Sequence, residues 1–173
     1  QYLTHKILPL LDLSSSPRII STASEVHNPD SPGGRVGAPA SLGELNGLRG
    51  STFIKMLDGN PTFNADKAYK DSKLCNILFC QELNRRLIER GTPWPIIAWA
   101  PGLVIPRVKG GFFRYSRQYN ELGQIIFALI ARDLFQITVS VESAGEILFR
   151  LSSSNKYQDC GFNYYSNKLI GPS

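Results

Sequence analysis

The apolar positions of this chain change period several times, and each change marks an element. Leu3, Ile7, Leu10 and Leu11 fall at helical spacing within residues 2–13, and the stretch SSSPR ends that helix. The β-branched run RIISTAS, residues 18–24, predicts a short buried strand ending at Ser24. From His27 to Asp66 the periodicity is lost among glycines and prolines, and a loop that long inside a compact domain is usually functional. Helical spacing returns over 66–90 through Leu74, Ile77, Leu78, Leu83 and Leu87, with Arg90-Gly91 as a C-terminal stop. PIIAWAPG, 95–102, predicts a strand running into a turn. A basic loop follows through Arg117, then helical segments over 119–135 and 141–152 and a last strand, GFNYYS, over 161–166. Strands alternating with helices of this length predict an α/β fold with a parallel sheet, and we expect residues 1–173 to form a single domain.

Composition narrows the function classes. With 173 residues, 42% of them hydrophobic, the chain is long enough to bury a substantial core. A formal charge of +5 favours anionic neighbours without naming one. Neither zinc-ligand spacing nor a long basic arm is present, so nucleic acid and a metal site are not expected. Cys75, Cys80 and Cys160 form no CxxC pair, which argues against a disulfide framework. The most apolar run, IIFALIARDLF, is broken by Arg132 and Asp133, so no membrane span is expected, while peripheral attachment stays open. The opening QYLTHKILPLLDL has no initiator Met, signal pattern or helix cap; it reads as the middle of a helix, and we expect a fragment of a longer protein.

The candidate chemistry lies in AYKDSKLCN, residues 68–76. Tyr69 and Lys73 stand four residues apart, which puts them on one helix face. An ammonium beside a phenol favours its ionised form and makes it a better proton donor or acceptor near neutral pH. The spacing alone is weak, because two polar residues on a solvated face have the same pattern. Context strengthens it: Ser24 closes one predicted strand, the Tyr69 helix opens next, and Pro101-Gly102 closes the following strand. All three belong at the carboxyl edge of a parallel sheet, where α/β folds hold ligands.

The order strand-Ser, Tyr-x-x-x-Lys helix, strand-Pro-Gly resembles the second half of the short-chain dehydrogenase/reductase family. The segment GGRVGAPASLGELNGLRG, followed by MLDGNPTFNADKAYKDSKLCN, is similar to the insertion of the light-dependent protochlorophyllide oxidoreductases within it. The resemblance is strongest over 18–90 and looser to about residue 166. It implies a Rossmann-like doubly wound sheet whose N-terminal dinucleotide-binding unit is missing here, with 27–66 as a family-specific insertion. It further implies NADP(H) as cofactor and protochlorophyllide or a related tetrapyrrole as light-absorbing substrate. Tyr69 would donate the proton, Lys73 would hold the nicotinamide ribose and tune Tyr69, and Ser24 would orient the substrate or Tyr69. Pro101 and Gly102 would border the nicotinamide site. A plastid setting follows, stromal or thylakoid-associated, with a membrane surface, a photosynthetic complex or a homo-oligomer as compatible partners.

Departures from that family are equally specific. Leu103 stands where a cysteine usually follows the Pro-Gly, and a leucine donates no proton. VIPRVKGG replaces the threonines that help grip the cofactor, and the glycine-rich pyrophosphate turn is not in this chain. Gly33, Gly34 and Gly37 read as a turn-rich loop instead of a phosphate cradle. A catalytically degenerate relative, kept as a scaffold or accessory subunit of a plastid assembly, is therefore the alternative. Arg107, Lys109, Arg114 and Arg117, interleaved with Phe112, Phe113 and Tyr115, form either a solvated loop or a surface for lipid, pigment propionate or protein. Cys75 and Cys80 read as small buried hydrophobes, and His5 and His27 as ordinary polar residues. Phe53, Ile54, Met56 and Leu57 form an apolar group suited to local packing or to contact with a pigment or membrane.

Overall fold

A computed structural model describes residues 2–49, 56–104 and 138–167. The elements in chain order are α1 (Tyr2–Leu11), β1 (Ile19–Thr22), α2 (Ala65–Glu89), β2 (Pro95–Ala100), β3 (Leu103–Val104), β4 (Thr138–Val139), α3 (Val141–Ser153) and β5 (Gly161–Ser166). They divide between two compact units, one of Gln1–Ala100 with Lys156–Tyr165, the other of Pro101–Asn155 with Ser166–Ser173.

In the first unit β2 is the central strand, with β1 on one side and β5 on the other. β1 runs parallel to it, Ile19 opposite Ile96 and Thr22 opposite Trp99. The pairing extends past the strand, since the Ala23 amide donates to the Trp99 carbonyl at 2.7 Å. Every residue of β2 is buried, which is why PIIAWA carries no polar alternation.

Helix α2 covers the sheet. Ile77, Cys80, Leu83 and Leu87 point inward against Ala23, Trp94, Ile96 and Ala98. Burying each large apolar side chain contributes about 1.5–3 kcal/mol. The expected stripe is right in period but not in every member: Leu78 is 44% exposed, while Cys80 is fully buried. Asn64 starts the helix, its Oδ1 accepting the Lys67 amide at 3.0 Å. Gly91, at φ +75, turns the chain out of it, and the Thr92 amide closes back on the Leu87 carbonyl at 3.0 Å.

Helix α1 forms as expected but keeps only Leu11 of its expected stripe at the core. Leu8 and Leu11 pack at the margin of the core, whereas Leu3 and Leu10 are 71% and 68% exposed. Both sets have helical spacing, so periodicity alone could not say which face turns inward.

Between β1 and α2 lie two 3₁₀ turns, Glu25–His27 at the entry to the insertion and Gly43–Leu48 inside it. Met56 is buried within it, and the Gly47 amide donates to the Leu57 carbonyl at 3.0 Å. Local packing of the loop therefore accounts for Met56; Phe53 and Ile54 lie outside the described residues.

In the second unit β3 and β4 pair in parallel, Leu103 opposite Thr138 and Val104 opposite Val139. Ser140 caps α3 by accepting the Ser143 amide at 3.0 Å, and Ala144 and Leu151 are its buried residues. The basic segment 107–117 and the helix expected over 119–135 lie outside the described residues. Among those described, no helix is long and apolar enough to cross a membrane.

Candidate functional site

Tyr69 and Lys73 lie in the first three turns of α2, and the fold carries them to the carboxyl end of β1. The Lys73 ammonium donates to the carbonyl of Thr22, the last residue of that strand, at 3.1 Å. It also stands 5.5 Å from the centroid of the Tyr69 ring, a cation–π distance. Asn76, one helical turn on, donates from Nδ2 to the same carbonyl at 3.1 Å. Burial pushes the Lys73 ammonium below the ordinary lysine value.

Ser24 follows Thr22 by two residues, in extended backbone at φ −160 and ψ 148. Its hydroxyl does not cap the 3₁₀ turn that begins behind it. Its carbonyl lies 2.5 Å from Nδ1 of His27, which is the donor if that nitrogen carries the proton. The His27 ring in turn meets Tyr164 of β5 edge-on, with centroids 5.5 Å apart. Burial, with Glu25 nearby, pushes the Tyr164 phenol up to about 12, so that hydroxyl stays neutral.

Pro101 and Gly102 follow β2 directly and open the second unit. Gly102 adopts φ +84, and a Cβ there would stand 3.0 Å from Cγ2 of Val139. The chain then enters β3 at Leu103, whose side chain is half-buried.

Other charged residues of the same helix turn were not anticipated. Lys67 is 7% exposed and pairs with Asp71 at 2.7 Å and Asp58 at 3.1 Å. It also donates to the Ser41 carbonyl at 2.7 Å, and the Ser41 amide closes the ring by donating to Asp71 Oδ1 at 2.8 Å. Burial works to lower the Lys67 ammonium, but the Asp71 and Asp58 carboxylates outweigh it and hold it above the usual value. Lys70 is 1% exposed. It donates to the carbonyls of Ala38 at 3.1 Å, Gly34 at 3.4 Å and Val36, and pairs with Asp66 at 3.2 Å. The signal in the sequence is the i,i+4 spacing of Asp66 with Lys70 and Lys67 with Asp71, which also suits an exposed helix face.

This arrangement bears on where phosphate binds. A phosphate cradle presents amide N–H groups, yet Gly34 and its neighbours turn carbonyls toward a lysine. The loop around Gly34 thus has the opposite polarity to a pyrophosphate site. Cys75 and Cys80 are no better placed as nucleophiles, because burial raises both thiols. Among the described residues, no group of three or more His, Cys, Asp or Glu is positioned to hold a metal.

Nicotinamide chemistry fits the Lys73 end of this site. An ammonium has three N–H donors, of which Thr22 takes one, so two can face ribose hydroxyls.

No family model matches the chain. Curated relatives are nevertheless clear. The chain is 33% identical to the chloroplastic protochlorophyllide reductase of Cucumis sativus over 171 residues, 96% of this chain and 41% of that protein. Against protochlorophyllide reductase B of Hordeum vulgare the identity is 32% over 172 residues, 96% of this chain and 42% of the relative. Protochlorophyllide reductase A of Oryza sativa subsp. japonica gives 32% over 157 residues, 88% and 39%. The chain thus spans about two fifths of the length of these relatives. Their chloroplastic location supports a plastid location here. Near-complete coverage of this chain at about one-third identity, on an α/β core with parallel strands, makes it similar to a segment of the longer protochlorophyllide reductases.

Proposed function

We propose that the protein containing this chain is an NADPH-dependent, light-driven protochlorophyllide reductase or a close paralogue acting on a related tetrapyrrole. The observation that carries the reading is the Lys73 ammonium, set between the Tyr69 ring and the end of β1 two residues before Ser24. Tyr69 supplies the proton to the reduced ring. The ammonium beside it stabilises the phenolate left behind, which is the electrostatic role such a pair plays best in a partly desolvated site. Lys73 also binds the ribose hydroxyls through its remaining donors, and the Ser24 hydroxyl orients the pigment or Tyr69. Pro101 and Gly102 border the nicotinamide. NADPH, when bound, supplies the hydride. A thylakoid surface and self-association are compatible with this role.

The test is direct. Full-length protein, given NADPH and protochlorophyllide, should form chlorophyllide on illumination; no product beside an active reference reductase would overturn the reading.

One observation favours a second reading. Leu103 occupies the place of the family's cysteine with a side chain that holds no transferable proton. A degenerate reductase serving as an accessory subunit of a plastid assembly would keep the fold and lose the turnover. It is distinguished by failure to bind NADPH.

A further inference from the structure

We propose that Lys70 is a positioning residue for Tyr69 and Lys73, acting by latching the insertion onto the first turns of α2. The inference rests on the reductase reading for its catalytic consequence, but not for its structural one.

Three features carry it. Lys70 is the largest fully buried side chain of the described residues, at 1% exposure. An ammonium so desolvated is tolerated only when its donors are satisfied, and here the carbonyls of Gly34, Val36 and Ala38 converge on it with Asp66 beside them. The loop is shaped for this. Gly37 adopts φ +67 between Val36 and Ala38, whose carbonyls both accept from Lys70, and a Cβ there would stand 3.2 Å from Oδ2 of Asp66. At Gly34 a Cβ would collide with the Asn28 carbonyl at 1.9 Å. The backbone can therefore curl round the ammonium only with glycine at these places.

The latch is also on the right part of the helix. At 100° per residue, Lys67, Lys70 and Asp71 lie about two fifths of a turn round α2 from Tyr69, Lys73 and Asn76. One face grips the insertion while the far face holds the candidate site. The first turn of a helix lacks intrahelical partners for its amides and frays most readily. Tyr69 is only five residues into α2, so its hydroxyl moves whenever that turn opens. Lys70 to the loop, and Lys67 to Asp58 and Ser41, tie the turn down from outside.

The experiment uses the full-length protein and compares wild type, Lys70→Met, Gly37→Ala and the control Arg86→Met on an exposed face of the same helix. Amide hydrogen exchange over residues 67–73 should speed up at least ten-fold in Lys70→Met, with residues 77–87 unchanged. Turnover on illumination should fall at least five-fold, with any rise in the Kd for NADPH smaller than that fall. Gly37→Ala, which distorts the carbonyl arc but keeps the ammonium, should shift both readouts the same way by a smaller factor, and it decides the matter if Lys70→Met does not fold. Arg86→Met should change neither. Unchanged exchange over 67–73, or acceleration spread evenly along α2, would overturn the latch whatever the activity. If wild type itself converts no pigment, the reductase reading fails and the exchange readout still judges the latch.

Discussion

Lys73 is the residue on which the proposed chemistry depends most, and its environment sets a pH limit. Burial holds its proton less tightly than that of a solvent-exposed lysine. As pH rises through that lowered value the ammonium is lost, and with it the charge that steadies the Tyr69 phenolate. The activity of full-length protein should therefore fall on an alkaline limb lying below the ordinary lysine value of 10.5. A pH profile of Lys73→Arg checks this: a guanidinium stays charged, so whatever activity remains should lose that limb. An unchanged limb would assign it to another group. Tyr69 and Lys73 were legible in the sequence because a four-residue spacing survives folding intact. Asn76 and Thr22 were not, because the carbonyl that gathers Lys73 and Asn76 comes from a strand more than fifty residues away and carries no side-chain signature.

At the scale of the element, α2 is both the main cover of the sheet and the carrier of the site. Its stability should divide sharply by position. Leu87→Ala, at 2% exposure, should cost about 2–5 kcal/mol. Asn64→Ala, which removes the cap on the Lys67 amide, should cost about 1 kcal/mol. Arg86→Ala should stay within about 0.5 kcal/mol, because its bond to Glu82 lies on an exposed face. Urea denaturation of full-length protein, read by the loss of helix, checks the order; an Arg86→Ala effect as large as that of Leu87→Ala would contradict it. Element by element, β2 and β5 were readable because their residues fill whole strands, and α2 because its stripe, Leu74 to Leu87, spans about four turns. β3 and β4 have two residues each, too few for any period to register. The face of α1 was legible only in part: Leu11 of the expected stripe packs at the core, but Leu3, Ile7 and Leu10 match a helical period as well as Leu8 does. The latch of Lys67 and Lys70 was hidden by its resemblance to a solvated charged face; only burial distinguishes the two.

For the molecule as a whole, exposed apolar surface gathers on α1 and the residues after it. Tyr2, Leu3, Leu10 and Leu13 are all more than two-thirds exposed. Among the described residues β1 pairs with β2 alone, so its other edge offers unpaired backbone groups. Residues 1–173 expressed by themselves should bind a hydrophobic dye and melt broadly, whereas the same residues within the full-length protein should melt cooperatively. A sharp melt of the isolated segment, with no dye bound, would show that this surface needs no cover. The likeness to the protochlorophyllide reductases runs along nearly the whole chain, while the proposed active centre rests on a few atoms near the end of β1.

That centre is tested most directly by one comparison, chlorophyllide formed per unit of absorbed light by full-length wild type and by Tyr69→Phe, with NADPH and protochlorophyllide both saturating. Removing the phenolic proton should lower the yield by about 10²-fold or more while leaving pigment and NADPH bound. Equal yields from the two proteins would show that Tyr69 is not the proton donor and would contradict the account.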